Sequence, residues 1–268
     1  MYHLGFVCGF LLSAFLIKHK ASIYINIGLF ILMTFPVLKF YLPQKAESNE
    51  TLSIGMLNLL SSNRSADLVH DFIMKENFDL VVFQEVSPFW GRAIKQYSSK
   101  YPHYKSVVRE GNFGMAVFSK VPLTNLKVSS LCRSGIPTIS CLVKWKAQSF
   151  QLIAIHPEPP NNQDAFLNRN ENFDRVNEII KLEAFPSIVI GDFNCTSFST
   201  NFNRIRKGTD LKDSRNGLGL QCSWNNDWPL ISIPLDHALL SRRLKVIDRR
   251  VGSPTGSDHL PVLLKIGI

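Results

Sequence analysis

The first 46 residues contain no aspartate and no glutamate. They also lack the basic start and the small-residue cleavage site of a secretory leader, so they do not read as a removable signal. The five cysteines, Cys8, Cys132, Cys141, Cys195 and Cys222, include no C-x-x-C pair, which excludes the usual thiolate metal frameworks. Internal repeats and low-complexity tracts are absent, and with them solenoid and disordered architectures. No stripe of alternating basic and aromatic residues marks a strand-tracking nucleic-acid groove. "WGRAIKQYSSKYPHYK" (90–105) mixes the right residues, but it reads as an amphipathic helix and a turn.

The acid-free start is apolar instead. Residues 2–17 and 21–38 are two runs with no acidic, lysine or arginine side chain, separated by Lys18-His19-Lys20. Each is near the roughly 17–25 residues that cross a bilayer as a helix. The expected organisation is a membrane anchor and linker over residues 1–45, with spans at about 2–17 and 21–38, followed by one folded domain over 46–268. The first span is short enough that a single crossing plus an interfacial segment is the alternative. All 21 acidic residues lie beyond residue 46, with 26 of the 30 lysines and arginines. That modest basic excess suits a phosphate-bearing ligand or an anionic membrane surface.

Within 46–268 several apolar strand patterns end in polar residues. Asn58 follows "LSIGML", Glu85 follows "LVVFQ" and His156 follows "QLIAI". Asp192 and Asn194 follow "SIVIG", Asp236 follows "ISIPL", and Asp258-His259 precede "LPVLLKI". In a continuing strand Asp192 and Asn194 would share a face, and Gly191 would leave room for a close approach. Helical spacing places Leu68, Val69, Phe72 and Ile73 on one stripe, and Phe173, Val176 and Ile180 on another. Helices feeding strands point to a mixed α/β sandwich. Singly, each polar strand end reads as a solvated turn. Together they supply hard oxygen donors and two imidazoles, which suit Mg²⁺ or Mn²⁺ rather than zinc.

The stretches "GMLNLL", "DLVVFQEV", "GMAVFSKVPL", "AIHPEPP", "IVIGDFNCT", "PLDHALLS" and "GSDHLPVLLKI" occur in this order over nearly all of 52–267. The set resembles the endonuclease/exonuclease/phosphatase superfamily, most closely its bacterial members with N-terminal membrane helices. "LKDSRNGLGLQCSW" also has a counterpart there, with Ser223 where Thr is usual. The resemblance implies a four-layer α-β-β-α sandwich that hydrolyses phosphoesters with a divalent metal. It implies Glu85, Asn58 and Asp258 as metal residues, and Asp192 and Asn194 at the attacking water. It further implies His259 as general base or phosphate contact, Asp236 as its orienting partner, and His156 at the scissile phosphate. His237, on the opposite face from Asp236, has no expected role.

The expected substrate is a phosphoester: a lipid headgroup, a small phosphodiester or nucleic acid. The leading expectation is a phosphodiesterase or phosphatase held at a membrane and in contact with its lipid. The alternatives are a tethered nuclease or a non-catalytic binding protein on the same fold. A basic turn at 18–20 tends to stay in the cytoplasm. The domain is therefore expected outside it, in the periplasm if the membrane is a bacterial inner membrane. There, Cys132 and Cys141 are candidates for a cross-hairpin bond, with Cys195 and Cys222 as a weaker pair.

Overall fold

A computed structural model describes residues 5, 8–10, 12–13, 20–43 and 46–267. The expected span at about 2–17 and the turn residues Lys18 and His19 lie largely outside these residues. Positions 5, 8–10 and 12–13 are helical. The second apolar run forms a helix, Lys20–Leu38, with no buried residue. At 1.5 Å per residue it is about 28 Å long, close to the thickness of a bilayer's hydrocarbon core. Among the described residues it is the one helix long and apolar enough to cross.

Twelve strands follow: β1 (Thr51–Asn58), β2 (Leu80–Gln84), β3 (His103–Val107), β4 (Met115–Ser119), β5 (Leu123–Ser130) and β6 (Pro137–Trp145). Then come β7 (Gln148–Ala154), β8 (Ser187–Asp192), β9 (Lys212–Asp213), β10 (Asp236–Leu240), β11 (Lys245–Val251) and β12 (Val262–Gly267). They form two six-stranded sheets, ordered β11-β12-β1-β2-β4-β3 and β5-β6-β7-β8-β10-β9. Each sheet holds one parallel pair near its centre, β1 with β2 and β7 with β8. Parallel neighbours need a crossover, supplied by the helices Ala66–Glu76 and Gln163–Leu182.

Three apolar clusters fix the layering. One lies between the sheets and includes Met56, Val82, Leu152 and Ile190. A second packs Val69, Phe72 and Ile73 of the first crossover helix, and Trp90 and Ile94 of helix Pro88–Ile94, on the outer face of the first sheet. The third packs Phe173, Val176 and Ile180 of the second crossover helix, with Phe202 and Ile205, on the second sheet. The result is the α-β-β-α sandwich. Leu68 departs from its expected stripe. It is exposed because the buried face of its helix runs through Val69, Phe72 and Ile73.

The thiols are free. The expected Cys132–Cys141 bond does not match the hairpin register, which pairs Ser130 with Pro137 and Lys127 with Ser140. Cys132 therefore sits in the turn, while Cys141 is buried between the sheets. The chain just after the apolar helix is built into the domain. Phe40 is fully buried, 5.0 Å beneath the Arg215 guanidinium and edge-on to Phe198. Lys39 and Phe40 carbonyls accept from Gly217 N (3.2 Å) and Gly219 N (2.6 Å).

Candidate active site

Parallel strands end on the same edge, so each βαβ unit delivers two C-terminal ends together. Asn58 closes β1 and Glu85 follows β2. His156 comes two residues after β7, and Asp192 closes β8. Gln84 joins the two sheets at this edge. Its Nε2 donates to Ile155 O (2.6 Å), and its Oε1 accepts from Asp192 N (3.0 Å). Gly191 permits that contact, because a Cβ there would lie 1.8 Å from Ile155 O.

Asp192 is the focus of the site. Its Oδ2 lies 3.4 Å from Asn58 Nδ2, 3.5 Å from His156 Nε2 and 3.6 Å from His259 Nε2. Antiparallel pairing of β10 with β8 sets Asp236 directly opposite Asp192. Asp236 Oδ2 meets His259 Nδ1 at 2.8 Å, which leaves the His259 Nε2 edge toward Asp192. Asp258-His259 reach this edge because β12 runs antiparallel beside β1.

Charge follows from this enclosure. Burial pushes the Asp192 carboxyl up, but the charge on His259 and contact with His156 outweigh it and hold the group at about 2. Burial pushes the His259 imidazole down, yet Asp236 and Asp192 raise it to about 10. An anion and a cation thus face each other in a buried cleft.

Asn194 departs from the strand expectation. β8 ends at Asp192, and Asn194 takes a left-handed φ of 47°. The two residues are joined by a turn, in which Asn194 N donates to Asp192 Oδ1 at 2.8 Å. Asn194 Nδ2 donates to Pro157 O (2.9 Å), beside His156. Glu85 is also left-handed (φ 59°), a conformation that concentrates where function over-determines the backbone. Its carboxylate accepts from Asn58 Nδ2 (3.1 Å) and Ser61 N (2.8 Å).

The donor set fits a hard, water-rich cation. Among the described residues, no group of three or more His, Cys, Asp or Glu is arranged to hold a metal. Mg²⁺ typically takes one or two carboxylates and keeps several waters. Glu85 supplies one such carboxylate. Asp258 supplies an orphan, since its Oδ1 is buried without a partner among the described residues while Oδ2 accepts from Trp224 Nε1 at 2.9 Å. Asn58 Oδ1 accepts from Leu60 N (3.0 Å) and keeps one lone pair.

Sequence reasoning assigned no role to several supporting residues. Besides Gln84 they are Ser223, whose Oγ accepts from Leu235 N (3.3 Å) and Asp236 N (3.2 Å), and Trp224, which holds Asp258. Buried Arg249 donates from Nη2 to Asp236 O (3.0 Å), and the Phe113 ring lies 5.4 Å from His156. The signal for two of them was present, since Ser223 and Trp224 end the quoted "LKDSRNGLGLQCSW".

The sequence pattern of the Endonuclease/Exonuclease/phosphatase family matches residues 55–259. Among solved structures, D. rerio TDP2 complexed with single strand DNA product is similar at a TM-score of 0.69. It is 16% identical, over 82% of this chain and 100% of that one. An endonuclease/exonuclease/phosphatase family protein from Bacteroides thetaiotaomicron gives a TM-score of 0.65 and 18% identity, over 82% and 98% of the chains. A functionally unknown conserved protein from Enterococcus faecalis V583 gives 0.67 and 20%, over 81% and 99%. These likenesses are of fold. A search of curated proteins finds no match.

Proposed function

The chain belongs to the Endonuclease/Exonuclease/phosphatase family, whose members are hydrolases acting on phosphoesters, and on that premise we propose that it is a divalent-metal-dependent phosphoester hydrolase held at a membrane. The observation that carries the reading is the convergence on Asp192 Oδ2 of Asn58, His156 and His259, with Asp236 behind His259.

In this reading Glu85, Asn58 and Asp258 would hold Mg²⁺ or Mn²⁺. The bound cation would supply Lewis-acid neutralisation of the phosphoryl oxygens. Asp192 orients the attacking water and takes its proton, and Asn194 fixes the carboxylate through its backbone N–H. His259 presents its Nε2 edge to a phosphoryl oxygen, and Asp236 favours its protonated form. His156 faces the same phosphate and gives a proton to the leaving oxygen. Developing negative charge thus meets positioned donors in a cleft with little water, where they act most strongly.

The apolar helix Lys20–Leu38 supports a membrane-held enzyme acting on a lipid headgroup or small phosphoester. A second reading, a tethered nuclease, is favoured by the single strand DNA product bound in the similar D. rerio TDP2. The full chain in detergent with Mg²⁺ separates them on phospholipid vesicles, plasmid DNA and bis(p-nitrophenyl) phosphate. Cleavage of vesicles and the diester without plasmid nicking supports the first reading; efficient nicking supports the second. Failure on all three refutes the hydrolase. The charge at 18–20 further supports a domain outside the cytoplasm. Alkaline phosphatase fused after Ile268 should then be active, and a bright green fluorescent protein fusion would overturn that placement.

A further inference from the structure

A second polar cavity, about 430 Å³, adjoins the metal end of this site and has no part in the chemistry above. Its wall includes Ser61, Arg64, Ser87, Phe89, Arg92 and Glu110. It borders the site at Glu85: Ser61 N donates to Glu85 Oε2 (2.8 Å) and Ser87 N donates to Glu85 O (2.8 Å). The loop from Glu110 onward then reaches Phe113, whose ring stands beside His156.

Three features mark the cavity as an anion site. Arg64 is fixed in place: its guanidinium stacks over Phe89 at 4.8 Å, and Nη1 donates to Ser61 O (2.8 Å) and Asn63 O (2.9 Å). Neither Arg64 nor Arg92 has a carboxylate partner among the salt bridges of the described residues. Ser87 is only 7% exposed, and its hydroxyl has no hydrogen-bond partner among the described residues. A buried, unpaired hydroxyl carries a desolvation cost that a ligand oxygen would relieve. Two arginines against the single carboxylate of Glu110 leave the cavity net positive, and guanidinium forks match phosphate geometry.

We propose that this cavity binds a second phosphate of the substrate, next to the scissile one on the Glu85 side. The inference rests on the hydrolase reading for which group is cleaved. It adds that the preferred substrate carries two phosphates, either successive phosphates of a nucleotide strand or the diester and ring phosphate of a phosphorylated lipid headgroup. Arg64 and Arg92 grip the second phosphate, Ser87 donates its hydroxyl, and the scissile group is thereby held in register with Asp192.

The test uses two substrate pairs that differ by one phosphate, with the full chain in detergent and Mg²⁺. One pair is thymidine 5′-(p-nitrophenyl phosphate) with and without a 3′-phosphate. The other is vesicles of phosphatidylinositol with and without a ring phosphate. In one pair the phosphorylated member should show the higher kcat/KM, by roughly tenfold for each arginine engaged. The double variant R64A/R92A should erase that preference through KM and leave the unphosphorylated member's rate unchanged. The pair that shows the effect identifies the source. Equal kcat/KM within both pairs overturns the proposal, as does a preference that survives in R64A/R92A. If wild type cleaves neither pair, calorimetry with thymidine 3′,5′-bisphosphate on EDTA-treated protein reads the cavity alone, independently of the hydrolase reading. Affinity that drops in R64A/R92A and in S87A, which removes no protein hydrogen bond, supports the cavity as a phosphate site. Unchanged affinity in these variants overturns it.

Discussion

Acid should destabilise this protein through one histidine. His237 is fully buried on β10, beside Asp236 but outside the cleft. Its Nδ1 accepts from Arg215 Nη2 at 3.1 Å, so its Nε2–H donates to Cys195 O at 2.7 Å. Arg215 in turn grips Asp213 through Nη2 (2.6 Å) and Nε (3.1 Å). Burial and then the Arg215 charge push His237 down to about 3, against the pull of Asp213. In the unfolded chain the same imidazole titrates near 6.5. Above that pH both states are neutral and His237 contributes nothing. Between about 6.5 and 3 the unfolded chain binds a proton that the folded chain refuses. Stability then falls toward acid by about 1.4 kcal/mol per pH unit. From pH 6.5 to 4 the loss is about 3 kcal/mol, a large share of an ordinary 5–15 kcal/mol. His259 adds no slope there: its folded value near 10 lies above the unfolded one, so both states are protonated below about 6. Asp192 and Asp213, both held below the unfolded carboxylate value, add their losses only below about 4. The assay is thermal unfolding of the full chain in detergent, followed by circular dichroism from pH 8 to 4, for wild type and His237→Gln. Wild-type Tm should fall steadily below pH 6.5. The variant should be lower at pH 6.5 and nearly flat from there to pH 4, since the His259 slope lies above 6.5 in both proteins. A flat wild-type profile, or the same slope in both proteins, would refute the reasoning.

Gln84→Leu strands two buried backbone groups, Ile155 O and Asp192 N, at about 1–3 kcal/mol each. Thermal melts should show the loss, and kcat should fall about 10–100-fold as Asp192 loses its support, the usual range for such outer contacts. Phe40→Ala should cost about 3–5 kcal/mol in denaturant titrations, whereas an indifferent protein would mean that the segment after the apolar helix is only a tether. Glu85→Gln removes one anionic charge at nearly constant shape, so half-maximal activity should need more Mg²⁺. An unchanged Mg²⁺ titration would remove Glu85 from the metal site.

The polar strand ends were readable because central β1, β2, β7 and β8 are near-continuous apolar runs, and a carboxylate or imidazole interrupts such a run conspicuously. The long helices were readable from Val69, Phe72 and Ile73 and from Phe173, Val176 and Ile180, where burial follows the helical period. Edge strands were not. β3 and β5 alternate weakly with exposure, and β3 begins inside a segment whose pattern suggested helix and turn. The edge strand β11 is basic and otherwise exposed or half-buried, yet it buries Arg249 against the Asp236 carbonyl. Long-range pairings left no local trace at all. Gln84 bridging two sheets, Phe40 under Arg215, and Cys132 out of register with Cys141 depend on residues brought together by the fold rather than by spacing.

The central claim is that Asp192 drives a metal-dependent phosphoester hydrolysis. Its most direct test is the rate of bis(p-nitrophenyl) phosphate hydrolysis by the full chain in Mg²⁺, with EDTA, and in Asp192→Ala whose folding is checked by circular dichroism. The account predicts activity that EDTA abolishes and Mg²⁺ or Mn²⁺ restores, and a loss of roughly 10²–10⁴-fold in the folded variant. A folded Asp192→Ala protein that keeps the wild-type rate, or a wild-type rate indifferent to EDTA, would contradict it.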